Sequence, residues 1–190
     1  MSADGPGVPT ELPELVERVG AVVDPEIPVL TIADLGILRG VRSGEDGRVV
    51  VDITPTYSGC PALDAIAADV RRVLAEAGHP DAEVRTVLHP AWTTDWITPA
   101  GRRALAAYGI APPGPARSGG GPVPLTLERR APQQSGGGPG ALGGLAPGEV
   151  SCPHCGSPDT RESSRFGSTA CKSLWVCRAC REPFDAVKPL

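Results

Sequence analysis

Between positions 10 and 23 the apolar residues Leu12, Leu15, Val16 and Val19 return at three- and four-residue intervals, the spacing of one face of an α-helix. Thr10 is placed to cap that helix and Asp24-Pro25 to stop it. The period then changes. Residues 37–42 and 48–54 read as strands, the second alternating Val49, Val51 and Ile53, and Ser43-Gly44-Glu45-Asp46-Gly47 supplies a hairpin turn. Leu63, Ile66, Val70 and Leu74 mark a second helical face that Gly78 can close. Val84, Thr86 and Leu88 alternate as a third strand, and residues 99–108 form a last short helix ending at Gly109. The resulting order, α-β-β-α-β-α, predicts a small α/β (α+β) domain with a mixed sheet over residues 10–110, after a disordered N-terminus at residues 1–9.

Residues 111–149 lose this patterning. "APPGPARSGGGP" and "SGGGPGALGGLAPG" hold so little apolar surface that nothing offsets the entropy of ordering them. They predict a flexible linker that lets the two ends move semi-independently.

Beyond the linker, residues 150–190 have few large apolar side chains but two Cys-x-x-Cys pairs, "CPHC" at 152–155 and "CRAC" at 177–180, separated by about a hairpin's length. Each pair can form a knuckle that aims two sulfurs at one ion, so Cys152, Cys155, Cys177 and Cys180 are the expected ligands of a closed, structural zinc site in a C-terminal zinc ribbon. The same four thiolates also suit iron or an iron–sulfur cluster. So small a unit folds only with such a staple. Cys171 is either a small buried residue of the hairpin or an extra thiol able to serve as an alternate ligand, and His154 is expected to point away from the ion.

The sixth cysteine stands apart. In "TPTYSGCPAL" Cys60 follows the second strand, and Pro61 suits the first turn of the next helix. Free N–H groups and the helix dipole there favour a thiolate, which predicts a lowered pKa for Cys60 and a reactive or metal-transferring role; the alternative is a buried cysteine ending a strand. Asp24 and Glu26 in "DPEIP", and Asp34 in "ADLG", are hard oxygen donors or turn formers. Trp92 and Trp96 in "HPAWTTDWIT" either form a partner-docking surface or roof the core. The Glu-x-x-His spacing of Glu76 and His79 is not read as a di-iron motif, because Gly78 and Pro80 break the helix that would align it.

Composition and charge narrow the function. A net charge of -4 over 190 residues argues against nucleic acid as a partner. The N-terminal stretch has neither the basic start nor the apolar core of a signal peptide, and no stretch approaches membrane-span length; the expectation is a cytoplasmic protein with no membrane association. In that compartment six cysteines point to metal or redox chemistry rather than disulfides.

"DPEIPVLTIADLGIL", "TPTYSGCPA" and "PAWTTDWITPAGRRAL", followed by the ribbon motifs "CPHCG", "FGSTACKSLW" and "CRAC", resemble the PaaD (PaaJ) family of the bacterial phenylacetyl-CoA ring 1,2-epoxygenase system. The N-terminal part is similar to a wider family that helps install iron–sulfur clusters. The resemblance covers residues 10–110 and 150–190. It implies a non-catalytic accessory factor that matures the metal centres of that system, with subunits of the epoxygenase (the oxygenase, the iron–sulfur reductase, or both) as partners; the alternative is a stable structural subunit. It further implies that Cys60, Asp24 and Glu26 handle iron or an iron–sulfur cluster transiently, that the ribbon cysteines hold zinc, and that Cys171 matches the family's extra thiol.

Overall fold

The computed structural model describes residues 12–44, 47–57, 59–114 and 150–189. The expected cap at Thr10, the N-terminus at residues 1–9 and the linker beyond Gly114 lie outside them. The elements are α1 (Pro13–Gly20), β1 (Leu38–Ser43), β2 (Val49–Ile53), α2 (Ala62–Glu76), β3 (Glu83–Thr86), a 3-10 turn (Thr94–Trp96), α3 (Pro99–Ala107), β4 (Ile110–Ala111), β5 (Thr160–Ser164), β6 (Lys172–Cys177) and β7 (Pro183–Val187).

The first sheet has the order β1-β2-β3, with β1 antiparallel and β3 parallel to β2. It is the mixed sheet that the α-β-β-α-β-α pattern predicts. The crossover from β2 to β3 runs through α2, whose Ile66, Val70 and Leu74 are buried on the helical face read from the sequence. Helix α2 closes in a Schellman motif: Gly78 has φ +93°, its N–H donates to the Ala75 carbonyl at 3.0 Å, and the His79 N–H donates to Leu74 at 2.9 Å. That geometry turns His79 out of the helix and leaves Glu76 bonded to Arg72 at 3.1 Å. α1 is shorter than expected, starting with Pro13 at its first position and ending at Gly20. The chain then folds back, and Ala33 packs so close to Gly20 that a Cβ there would meet it at 3.2 Å. None of the described helices is long and apolar enough to cross a membrane.

The second sheet contains an element the sequence did not suggest. Its order is β4-β7-β6-β5, so the strand after α3 is an edge of the ribbon's own hairpin sheet. Ile110 pairs with Asp185 and Ala111 with Ala186, parallel to β7. Val187, one residue on, is buried in the core of the N-terminal unit with Leu35 and Ile110, while Ala111 is buried in the ribbon's small core with Val150, Trp175 and Phe184. The expectation of two semi-independent ends is therefore replaced by a docked pair. Each unit contributes one segment to the other's core, and a two-residue strand carries no periodicity by which it could have been read.

Candidate metal-handling site

The ribbon thiols come together as their spacing predicts. Among the described residues, Cys152, Cys155, Cys177 and Cys180 are the group whose ligand atoms all lie within 4.8 Å of one another. Two sulfur pairs, Cys152–Cys180 and Cys155–Cys177, stand 3.7 and 3.6 Å apart. A tetrahedron with Zn–S bonds of about 2.3 Å has edges of about 3.8 Å, so the cage fits zinc and leaves no open position. The Cys180 N–H donates to Cys177 Sγ at 3.4 Å, the hydrogen bond of a tight knuckle. His154 lies outside the cage, as expected; its imidazole faces Gly109 of the N-terminal unit, where an added Cβ would meet Cε1 at 3.2 Å.

A second constellation lies at the seam between the units. The turn from β2 to α2 brings Cys60 to a small cavity that Glu26, Thr56, Trp92, Cys171 and Val187 also line. Glu26 comes from the loop between α1 and β1. Asp24 shapes that loop, since its Oδ1 accepts the N–H groups of Glu26 and Ile27, both at 2.8 Å, in an Asx turn. Asp24 Oδ1 is thus tied to the backbone, and Asp24 and the half-buried Glu26 both line the cavity.

Cys60 does not behave as its position in the sequence suggests. The N-cap of α2 is Pro61, so Cys60 sits one residue outside the helix. Burial raises its pKa above the usual thiol value, and the negative charges of Glu26 and Asp24 add to the effect. Hydrogen bonds from the Ala62 N–H and the Thr56 hydroxyl pull the other way without reversing it. The lowered pKa expected from the sequence is corrected to a raised one, because desolvation and two carboxylates outweigh the Ala62 N–H and the Thr56 hydroxyl.

Cys171 reaches this cavity from the turn between β5 and β6, held by Thr169 Oγ1 at 3.1 Å from its sulfur. Its pKa is also raised, first by burial and further by Glu26 and Asp24, against the opposing pull of the Thr169 hydrogen bond and of Lys172. Glu26 itself is raised by burial and by Asp24, with Lys172 again opposing. Sequence reasoning singled out Cys60 and Cys171 separately. It missed Thr56 and Thr169, which bond Cys60 and Cys171 within their own units, and Lys172, whose effect on Glu26 depends on the docking of the ribbon.

Of the two tryptophans, Trp92 is part of the core and Trp96 is partly buried against it. Trp92 is 8% exposed, and its indole N–H donates to the Leu35 carbonyl at 2.8 Å. Trp96 packs against the same core under the Arg39 guanidinium, 3.8 Å from the ring centroid. Asp34 stays outside the cavity too, accepting from Thr31 and Thr98.

Residues 14–88 match the family described as iron–sulfur cluster assembly protein, and residues 139–188 match the PaaD zinc beta ribbon domain. A protein of Escherichia coli named as a component of 1,2-phenylacetyl-CoA epoxidase is 41% identical over 180 residues, covering 95% of this chain and 94% of that protein. The chain belongs to the PaaD family. Two further relatives of this PaaD-family chain match less than half of it. An Fe-S protein maturation auxiliary factor of Porphyromonas gingivalis is 37% identical over 45% of this chain and 81% of its own length. The maturation auxiliary factor SufT of Staphylococcus aureus is 38% identical over 47% of this chain and 98% of its own length.

Proposed function

We propose that this chain is a non-catalytic accessory factor that matures a metal centre of a phenylacetyl-CoA epoxidase complex, receiving iron or an iron–sulfur cluster at Cys60 and passing it to the oxygenase or to its iron–sulfur reductase. The observation that carries this reading is the Cys60 thiol opening on a cavity beside the Glu26 carboxylate, within the segment that matches the cluster-assembly family. The E. coli relative, named as part of the epoxidase, supports the choice of complex.

The residues suggest how such a site handles its cargo. Before any cation enters, burial and the two carboxylates keep Cys60 protonated and slow to react. A cation entering beside Glu26 cancels that negative field, so the thiol ionises only when a metal is there to take the sulfur. Thr56 and the Ala62 N–H then hold the thiolate in place.

The test is replacement of the chromosomal gene by Cys60→Ser in a host that grows on phenylacetate. Growth should fail or slow, and the epoxidase should assemble with a reduced iron content. Wild-type growth with fully metallated epoxidase would overturn the reading. Stoichiometric co-purification with that intact enzyme would then favour a structural subunit.

A further inference from the structure

We propose that Cys60, Cys171 and Glu26 form a composite site for a single divalent transition-metal ion at the seam between the N-terminal unit and the ribbon. This rests on the function proposed above and adds to it a second thiolate, the ribbon as a ligand-bearing partner, and the nuclearity of the cargo.

The three donors come from three separate elements and line one cavity. Glu26 lines the cavity with both thiols, and its charge acts on each of them. Two thiolates and a carboxylate suit ferrous iron, cobalt or zinc and would be a poor set for calcium or magnesium. The cavity volume is about 20 Å³. That holds one water-sized sphere or one ion, and excludes a four-iron cluster while the ribbon is docked. Three protein ligands would also leave a coordination position open, as in sites that exchange what they bind, whereas the ribbon's four thiols close theirs.

Binding exchanges the two thiol protons, released to solvent, for one divalent ion. Two thiolates, the Glu26 carboxylate and the ion leave one net negative charge, to which the Asp24 carboxylate in the same cavity adds, and Lys172, whose field already reaches Glu26 and Cys171, offsets part of it. Lys172 is buried with Asp185 3.8 Å away. The other cation at the rim, Lys188, donates to the Ala170 carbonyl at 2.7 Å and lies over the Phe166 ring, so it is held off the donors. The donors have not converged as the ribbon's four have. Closure onto an ion would come from side-chain rotation about the cavity, for which Glu26 has the longest reach.

The test uses the full chain with its ribbon zinc retained, in oxygen-free buffer, titrated with Co(II). The expected result is one further equivalent bound, with thiolate-to-cobalt charge-transfer absorption and two sulfur ligands by X-ray absorption. Cys171→Ser should keep one zinc per chain, bind the added cobalt more than about tenfold more weakly, since even an outer-shell change costs about 10–100-fold, and show one sulfur ligand. Should that variant lose zinc, Glu26→Gln, which lies in the other unit, should still show the weakening. Wild-type protein taking up no second ion, or Cys171→Ser binding it unchanged, would overturn the composite site. Either outcome would leave the Cys60→Ser growth and iron-content assay to decide the maturation role by itself.

Discussion

Ile110 lies opposite Asp185 in a parallel ladder, which makes the last residues of the N-terminal unit an edge strand of the ribbon. The pairing brings Val187 into the N-terminal core at 6% exposure. Pieces 1–114 and 150–190, co-expressed as separate chains with zinc, should therefore associate. Val187→Asp should abolish their co-elution in size-exclusion chromatography, because a carboxylate would be buried there without a partner. Separate elution of the wild-type pieces would show that the ladder is too weak to hold them.

Loss of one ribbon ligand should act locally. Cys177→Ser removes a corner of the zinc cage, and the ribbon's own core of Val150, Trp175, Phe184 and Ala186 is too small to stand without it. Zinc content should fall to near zero, and the amide signals of residues 150–189 should collapse to unfolded positions. Signals from α2 and the first sheet should stay dispersed, since the core of that unit is built from its own residues apart from Val187.

Asp34 ties the loop before β1 to α3, accepting from Thr31 Oγ1 at 2.8 Å and Thr98 Oγ1 at 3.0 Å. Burial alone would raise its pKa, but the hydrogen bonds from Thr31 and Thr98 bring it below the ordinary value of 3.8. A folded pKa below the unfolded one contributes stability above the unfolded value, lost as pH falls through the folded one. Asp34→Ala should cost about 1.5–3 kcal/mol at pH 7, the range for hydrogen bonds to a charged group. In urea melts the gap to wild type should shrink below pH 3.8; a gap that persists at full size there would show that the ionised carboxylate is not its source.

Gly109 has φ +87°, a conformation that costs other residues roughly 1–2 kcal/mol. Any side chain there also meets His154 at 3.2 Å. Gly109→Ala should lower the thermal midpoint, and adding His154→Ala should recover only part of the loss. Full recovery would mean that the contact, and not the backbone, sets the requirement for glycine.

Local patterns made much of this chain legible. The face of α2, the hairpin of β1 and β2 and the four-thiol cage all follow from spacings of a few residues, and all stand in the structure. What escaped depends on tertiary contact. The approach of Cys171 to Cys60 joins segments far apart in the chain, and β4 is two residues long. The pKa of Cys60 failed for a related reason: its neighbours along the chain suggested a helix N-terminus, whereas its neighbours in space include Glu26 and Asp24. Trp92 and Trp96 could not be assigned from aromatic density alone, because an indole that roofs a core and one that waits for a partner look the same in sequence.

Ala111 and Val150 belong to the same small core. The described residues on either side of positions 115–149 are thus held in one cluster. For a loop with fixed ends, doubling the length adds only about 0.6 kcal/mol of closure entropy. The position of the ribbon is consequently set by the pairing of β4 with β7 and by the core these residues share, so it does not depend on how many residues separate Ala111 from Val150.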